Sequence, residues 1–328
     1  MNTIMKRELG KSGIEVSAMG LSCWAIGGLF WKGDKPLGYE DVDDKESTNA
    51  IHKALDLGVT FFDTAAVYGV GHSEGVLGRA LKGWRDKVVI ATKFGYTFDV
   101  MSREVKGSNL SPEHIRQECQ ASLRRLETSY IDLYLIHISS VLPEEAEFIS
   151  IELDKLCEEG YIRSYGWSTD DVRCARLLAE NDKYTAVEHE LNVLNDTGEI
   201  LELCEEYDLA SINRTPLAMG LLAGKLKTEL QLSEDYIRGN EPKWKKYFNN
   251  GKPSGDWLEK INAVCDVLIS DGRTIAQGAL AWIWARSKQT IPITIFKTVK
   301  QVEENAGAIQ FGPLTERQMH EIDFLLGR

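Results

Sequence analysis

The chain has 328 residues, is 43% hydrophobic and 27% charged, and carries a formal net charge of −12. Such a composition supports a globular protein with an ample core, and its negative field disfavours nucleic acid and anionic membrane surfaces as partners. No apolar run approaches the roughly 18 residues of a membrane span, and the opening MNTIMKRELGKSGIEVS has neither the apolar core nor the cleavage pattern of a signal peptide.

In chain order, KRELGKSGIEVS predicts a β-hairpin with Lys11, Ser12 and Gly13 at its turn. Eight short β-rich runs then alternate with longer amphipathic stretches. They are VSAMGLSC (from Val16), TFFDTA (Thr60), VVIATKF (Val88), IDLYLIH (Ile131), SYGWST (Ser164), AVEHELNV (Ala186), ASINRTPL (Ala210) and TIPITIF (Thr290). Between the third and fourth, Ser111 reads as an N-cap before Pro112, and PEHIRQECQASLRRL puts Ile115, Cys119, Ser122 and Leu126 on one face. After the fourth, EEAEFISIELDKLCEEG repeats apolar residues at Phe148, Ile151 and Leu156 and stops at Gly160. Strand–helix alternation indicates parallel βαβ units, in an open doubly wound sheet or a closed barrel. The number eight favours a (β/α)8 TIM barrel. No linker breaks the chain, so residues 1–328 read as a single domain with long loops at the C-terminal face of the strands. The longest connection, Leu226 to Pro253, is rich in charge and aromatics, and loops of that length tend to be functional or mobile.

Several familiar signatures fail. Glu74 stands where G-x-G-x-x-G needs its third glycine, and GLLAGKL is one residue short of a P-loop and lacks its hydroxyl. The six cysteines (Cys23, Cys119, Cys157, Cys174, Cys204 and Cys265) form no C-x-x-C pair and no zinc spacing. All but Cys23 fall in helical patterns as small buried thiols, as expected of the reducing cytoplasm.

Active sites of such barrels lie at the C-terminal ends of the strands. Those ends carry Asp63 followed by Tyr68, then Lys93, then His137. Ionisable groups that close apolar runs serve no packing purpose, and a buried carboxylate demands a partner. Asp63 is expected to pair with Lys93, and the pair to act on Tyr68. A free phenol has a pKa near ~10 and is a poor acid at neutral pH. An adjacent ammonium lowers that value and fits the phenol to protonate a developing alkoxide, while Asp63 keeps the ammonium charged and aimed. His137 is placed to hydrogen-bond the reacting oxygen. The hydride must come from a cofactor.

The same residues resemble the aldo-keto reductase superfamily over nearly the whole chain. DTAAVYGVGHSEGVLGRAL is similar to the family's D-T-A-x-x-Y-G-x-G-x-S-E-x-x-L-G-x-A-L stretch. VVIATKFG, SLRRLETSYIDLYLIH, GYIRSYGWSTDD, NRTPLAMGLLAGKL and KTVKQVEENAGAIQFGPLT continue the series in family order. The resemblance, closest to bacterial NADP-dependent members related to potassium-channel β subunits, implies a nicotinamide cofactor extended across the strand ends and reversible reduction of aldehydes or ketones. It makes Tyr68 the proton donor, Lys93 and Asp63 its tuning pair, and His137 the residue that orients the carbonyl.

By family position, Cys23 and Trp24 lie beside the ribose and nicotinamide with Asp63 and His137, and Ser168, Thr169 and Glu188 hold the carboxamide. Arg214 lies against the nicotinamide ring. Thr215, Pro216, Leu217, Ala218, Met219 and Gly220 follow the pyrophosphate, ending near Lys225, and Arg238 approaches the adenosine phosphate. Ile295, Phe296, Lys297, Thr298, Gln301, Glu304 and Asn305 complete the adenosine end, with Lys297 and Thr298 suited to a phosphate at a helix N-terminus. The basic trio Lys225, Arg238 and Lys297 implies NADPH over NADH. The chain departs from the pattern where Thr294-Ile295 replaces Pro-Gly, Glu188 replaces Gln, and Thr169 replaces Asn.

Trp24, Phe30, Trp31, Tyr96, Trp244, Tyr247 and Phe248 are candidates for an apolar substrate pocket, which would suit aromatic or medium-sized aldehydes. No membrane or nucleic-acid partner is expected, and neither the carbonyl compound nor the oligomeric state is fixed by the sequence. Two rival readings stand beside the reductase. One is a nicotinamide-binding regulatory subunit on the same barrel with little turnover. The other is a Schiff-base aldolase using Lys93, which a carboxylate that keeps the amine protonated argues against.

Overall fold

The computed structural model describes residues 5–224, 247–249, 252–253 and 255–328. Eight parallel strands close a barrel in sequence order: β1 (Gly20–Ser22), β2 (Phe61–Asp63), β3 (Val89–Phe94), β4 (Ile131–Ile136), β5 (Ile162–Ser168), β6 (Tyr184–Glu190), β7 (Ala210–Arg214) and β8 (Thr290–Ile295). Six fall within one of the eight β-rich runs, and β5 and β6 overlap theirs but begin two residues earlier. Closure removes every exposed sheet edge, and β8 returns to β1 through the register Ile293↔Gly20.

The helices between and after the strands are α1 (Asp44–Asp56), α2 (His72–Ala80), α3 (Pro112–Arg125), α4 (Pro143–Glu158), α5 (Val172–Arg176), α6 (Gly198–Glu206), α7 (Gly255–Leu268), α8 (Ile275–Arg286), α9 (Val299–Ala306) and α10 (Glu316–Leu326). Ser111 caps α3 as expected, accepting from the His114 N–H at 3.4 Å. The α4 face differs from expectation. Leu156 is buried as expected, but Phe148 and Ile151 are exposed and Ala146, Ile149 and Leu153 are buried in their place.

Period-two alternation sorts each strand into an outer and an inner row. Outer residues such as Phe62, Ile90, Tyr134 and Val187 join the large core under the helices. Inner residues such as Phe61, Ala91, Leu133, Leu135, Ala186 and Ile212 fill the barrel. The expected hairpin, Lys6–Glu8 against Glu15–Ser17, lies across the N-terminal end. Its Leu9, Ile14 and Val16 plug the barrel interior from below, so the inner rows can turn polar only at the opposite mouth.

That mouth carries a feature the sequence reading lacked. Phe30–Lys32, Lys35–Leu37, Tyr96–Asp99 and Glu104–Ser108 form a small four-stranded sheet. Arg103 ties it down, donating from Nε to the Leu29 carbonyl at 2.7 Å and from a terminal nitrogen to the Gly27 carbonyl at 3.2 Å. Among the described residues no helix is long and apolar enough to cross a membrane.

Candidate active site

Continuing the inner rows upward places the ionisable groups. Phe61 leads to Asp63 on β2, Ala91 to Lys93 on β3, Leu135 to His137 after β4, Ala186 to Glu188 on β6, and Ile212 to Arg214 on β7. The expected pairing is present. The Lys93 ammonium donates to Asp63 Oδ1, and also to the Thr64 carbonyl at 3.0 Å. The Tyr68 hydroxyl lies 3.5 Å from the same nitrogen. The His137 ring stands edge-on to Tyr68, with centroids 5.7 Å apart, and edge-on to Tyr96 at 5.2 Å.

Tyr68 is held from its backbone. Gly69 follows it with φ +59°, and a Cβ there would fall 1.9 Å from the Gly27 carbonyl oxygen, so the two loops meet where only glycine fits. The Ser73 N–H donates to the Tyr68 carbonyl at 3.2 Å, and the Ser73 hydroxyl reaches the Cys23 carbonyl at 2.7 Å. Glu74 is buried, taking the Thr92 hydroxyl at 2.6 Å and the Arg125 guanidinium at 2.6 Å. The S-E of the motif therefore anchors α2, and with it the tyrosine loop, to β1, β3 and α3.

Glu188 is the residue whose place differs most from expectation. Its Oε2 lies 3.2 Å from the Lys93 nitrogen, and its Oε1 accepts from the Ser168 hydroxyl at 3.1 Å. The cation is thus bracketed by two carboxylates. Lys93, Asp63 and Glu188 are all buried.

The electrostatics follow from that bracket. Burial alone would lower the Lys93 pKa, but Asp63 and Glu188 overcome it and hold the amine above its ordinary value. Asp63 is pushed well above the carboxylate range, by burial first and then by Glu188, against the pull of Lys93. Tyr68 corrects an expectation. Its pKa is raised, because burial, Asp63 and Glu188 together outweigh the lowering by Lys93. The ammonium limits the rise without producing a net fall. His137 is pushed well below its ordinary value by burial, with Lys93 and Arg214 adding to the effect, so it is a neutral imidazole.

A narrow cleft opens beside β8. Thr215, Pro216, Leu217, Met219, Gly220, Ile295, Lys297, Gln301, Glu304 and Asn305 line it, as expected, and Tyr39, Ala223 and Ala276 join them unforeseen. Tyr39 packs edge-on against Trp24 at 5.4 Å, and Trp24 lies 6.3 Å from Tyr68, so an aromatic pair links cleft and tyrosine. An apolar wall with polar groups at one end suits an extended dinucleotide.

Other residues expected at the cofactor do not line this cleft. Ala218 and Phe296 are core residues with no exposed side chain. Cys23 is likewise buried, and its carbonyl is taken by Ser73. The Thr169 hydroxyl donates to the Ser139 carbonyl at 2.6 Å. Arg214 is paired with Asp170. At the start of α9, Thr298 caps Gln301, and the Gln301 side chain accepts from Lys297 N–H at 2.7 Å and Thr298 N–H at 3.3 Å. The Val299 N–H donates to the Glu46 carboxylate at 3.0 Å, and the Lys297 ammonium to the Glu40 carbonyl at 2.7 Å. The expected phosphate donors are therefore engaged within the protein. Lys225, Arg238 and Trp244 lie outside the described residues, and the Phe248 side chain does too.

Of the substrate-pocket candidates, Phe30 is buried under the mouth sheet with partly buried Trp24, Tyr68 and Tyr96 against it. Tyr247 is buried and bonded to Glu190 and, at 2.9 Å, to Asn192, which makes it a clasp on the end of β6. The aromatic surface that remains half-exposed beside the phenol is Trp24, Tyr96 and the His137 edge.

Comparison with known proteins agrees with this geometry. The description of the aldo/keto reductase family matches residues 25–326. The chain belongs to that family. It is 32% identical over 321 residues to the "probable aldo-keto reductase 1" of Glycine max, covering 96% of this chain and 87% of that one. It is 33% identical over 325 residues to the NADH-specific methylglyoxal reductase of Escherichia coli strain K12, covering 93% of each. Among solved structures, the glycerol dehydrogenase AKR11B4 from Gluconobacter oxydans superposes with a TM-score of 0.81 at 29% identity, over 98% of this chain and 95% of that one. The aldo-keto reductase AKR11C1 from Bacillus halodurans does so with a TM-score of 0.78 at 24% identity, over 98% and 96%, and shares the fold. This aldo/keto reductase is accordingly an NAD(P)H-dependent oxidoreductase.

Proposed function

We propose that the protein reduces an aldehyde or ketone to the alcohol at the barrel mouth, with Tyr68 as proton donor, Lys93 and Asp63 as its electrostatic support, and His137 orienting the carbonyl. The observation that carries this reading is the convergence of a phenol and a carboxylate-bound ammonium, 3.5 Å apart, at the end of an otherwise apolar barrel.

The chemistry follows from the charges. A nicotinamide bound in the cleft would supply hydride to the carbonyl carbon. As negative charge grows on the carbonyl oxygen, the Tyr68 hydroxyl donates to it and passes its proton across. The phenolate left behind is stabilised by Lys93, whose pull is felt most at that moment because the ammonium is fully buried. His137, neutral at working pH, donates one N–H to the same oxygen and fixes its direction without competing for the proton. General acid catalysis of this kind contributes roughly 10² to 10⁴ in rate. Trp24 and Tyr96 border the oxygen site and favour a substrate with a flat or apolar face.

Thr215 to Leu217 with Met219 and Gly220 would hold the dinucleotide along the cleft, and Glu304 and Asn305 its adenosine end. NADPH is the cofactor favoured by the family positions, with NADH as the lesser one. A second reading, NADH as the preferred cofactor, rests on the Glu46 carboxylate at the start of α9 and accords with the name of the Escherichia coli relative.

A screen of aldehydes and ketones followed at the NAD(P)H absorbance band, wild type beside Tyr68→Phe, tests the proposal. The variant should bind cofactor normally and lose turnover by about 10² or more. Equal rates for the two proteins would overturn the assignment. Tight cofactor binding with no turnover by the wild type would favour a regulatory barrel.

A further inference from the structure

Two oxygen atoms in this site lack what buried oxygens normally have. Asp63 Oδ2 and Glu188 Oε2 are buried with no hydrogen-bond partner, although both side chains flank Lys93. The two carboxyl groups are held against one and the same ammonium nitrogen. If both were ionised, the enclosed group would hold two anions and one cation. Like charges so placed cannot both ionise at moderate cost. A single proton held by the pair makes the set neutral.

We propose that Asp63 and Glu188 share one proton, and that Glu188 is therefore a positioning residue for Lys93 whose ionisation with Asp63 sets an alkaline limit on the reductive step. The proposal rests on the catalytic reading above for its kinetic consequence, but not for the shared proton itself. The groups that face the pair are Lys93 on β3, Tyr68 on the loop after β2, Cys23 after β1, the Ser168 hydroxyl on β5, His137 after β4 and Arg214 on β7. Cys23 is held as a neutral thiol, its pKa pushed well up by burial and then by Asp63. His137 is neutral, so among the described residues Lys93 is the only ammonium against the pair, with the Arg214 guanidinium committed to Asp170 at the rim.

When the shared proton is lost, the site gains a net negative charge beside the phenol. The alkoxide of the transition state is then opposed by two carboxylates and supported by one ammonium. Turnover falls although Tyr68 is still protonated. Glu188→Gln removes the ionisation while retaining shape and the bond to Ser168: Asp63 and Lys93 then balance one to one with no proton to lose.

The first measurement needs no turnover. Infrared difference spectra of the whole chain, wild type minus Glu188→Gln at neutral pH, should show the C=O stretch of a protonated carboxyl that shifts in deuterium oxide. Asp63→Asn should remove the same band. Its absence from both difference spectra overturns the shared proton whatever the enzyme's activity. The second is kcat for reduction against pH. Wild type should lose about tenfold per pH unit above the ionisation, and Glu188→Gln should stay flat through that range. Superimposable profiles overturn the proposal. A changed cofactor KM with an unchanged kcat profile would also overturn it and assign Glu188 to the carboxamide.

Discussion

Removing the cation from a site built around it is the most demanding check of these electrostatics. In Lys93→Met a side chain of similar length replaces the ammonium, so packing changes little, but Asp63 and Glu188 lose their shared partner inside a fully buried layer. Breaking a buried pair by deleting one member costs about 3–5 kcal/mol, because the remaining charge has neither water nor counter-ion. With two carboxylates stranded, the upper part of that range applies. The pH dependence has a definite sign. To stay buried, both carboxyls must hold protons in the folded variant, while the unfolded chain releases them above about pH 4. Folded-state pKa values raised in this way give stability that is whole below the unfolded pKa and is lost as pH rises.

Wild type already holds one such proton and the variant holds a second. The gap between them should therefore widen by roughly 1.4 kcal/mol per pH unit until the penalty is complete. Urea unfolding of both proteins near pH 5 and near pH 8 measures it. The expected result is a small deficit at the acid end, a deficit of about 3–5 kcal/mol at the alkaline end, and partial recovery in Lys93→Met/Glu188→Gln, where one stranded anion is gone. A variant as stable as wild type at both values, or a deficit that shrinks as pH rises, would refute the bracketed-cation account.

Arg125 serves two buried or nearly buried carboxylates, Glu74 at 2.6 Å and Glu118 at 2.8 Å; Arg125→Met should cost about 3–5 kcal/mol in chemical denaturation and loosen the tyrosine loop, seen as a kcat loss larger than any KM change. His189 is buried between the Thr197 and Ser211 hydroxyls at 3.0 and 2.7 Å, and burial lowers its pKa to about 4. Its contribution is present above the unfolded value of ~6.5 and drains away as pH falls toward the folded one, roughly 3 kcal/mol in all. His189→Gln should flatten that part of the stability–pH curve, and an unchanged curve would show the imidazole to be solvated. Glu46→Gln takes the anion from the start of α9 and should raise the NADPH-to-NADH ratio of kcat/KM by roughly three- to tenfold; an unaltered ratio would place the 2′-phosphate elsewhere.

The barrel was legible because inner and outer rows repeat every second residue, and that period survives without any knowledge of neighbours. That period alone places Asp63, Lys93 and His137 at the mouth. The same count, Ala186 to Glu188, put a second carboxylate into the Lys93 layer. That signal is present in AVEHELNV, although the family resemblance assigns Glu188 to the cofactor. Three other features were not legible, each for its own reason. The α4 stripe was misplaced because Phe148 and Ile151 are larger than the Ala146 that is buried, and size outweighed phase. The mouth sheet consists of strands of three to five residues with charged members, held by Arg103 bonds to distant carbonyls that no local pattern encodes. The net direction of the Tyr68 shift depends on burial, which spacing along the chain does not report.

Sequence names the charges; only packing counts them. A layer with two acids and one base cannot remain fully ionised when dry, so the proton that completes it belongs to the site as much as any side chain does. The tyrosine then works against a neutral group whose cation it feels most strongly when its own proton leaves. A site whose resting phenol is harder to ionise than a free one is thereby consistent with a good acid in the transition state, since the same low dielectric that resists a resting phenolate strengthens Lys93 against a forming one.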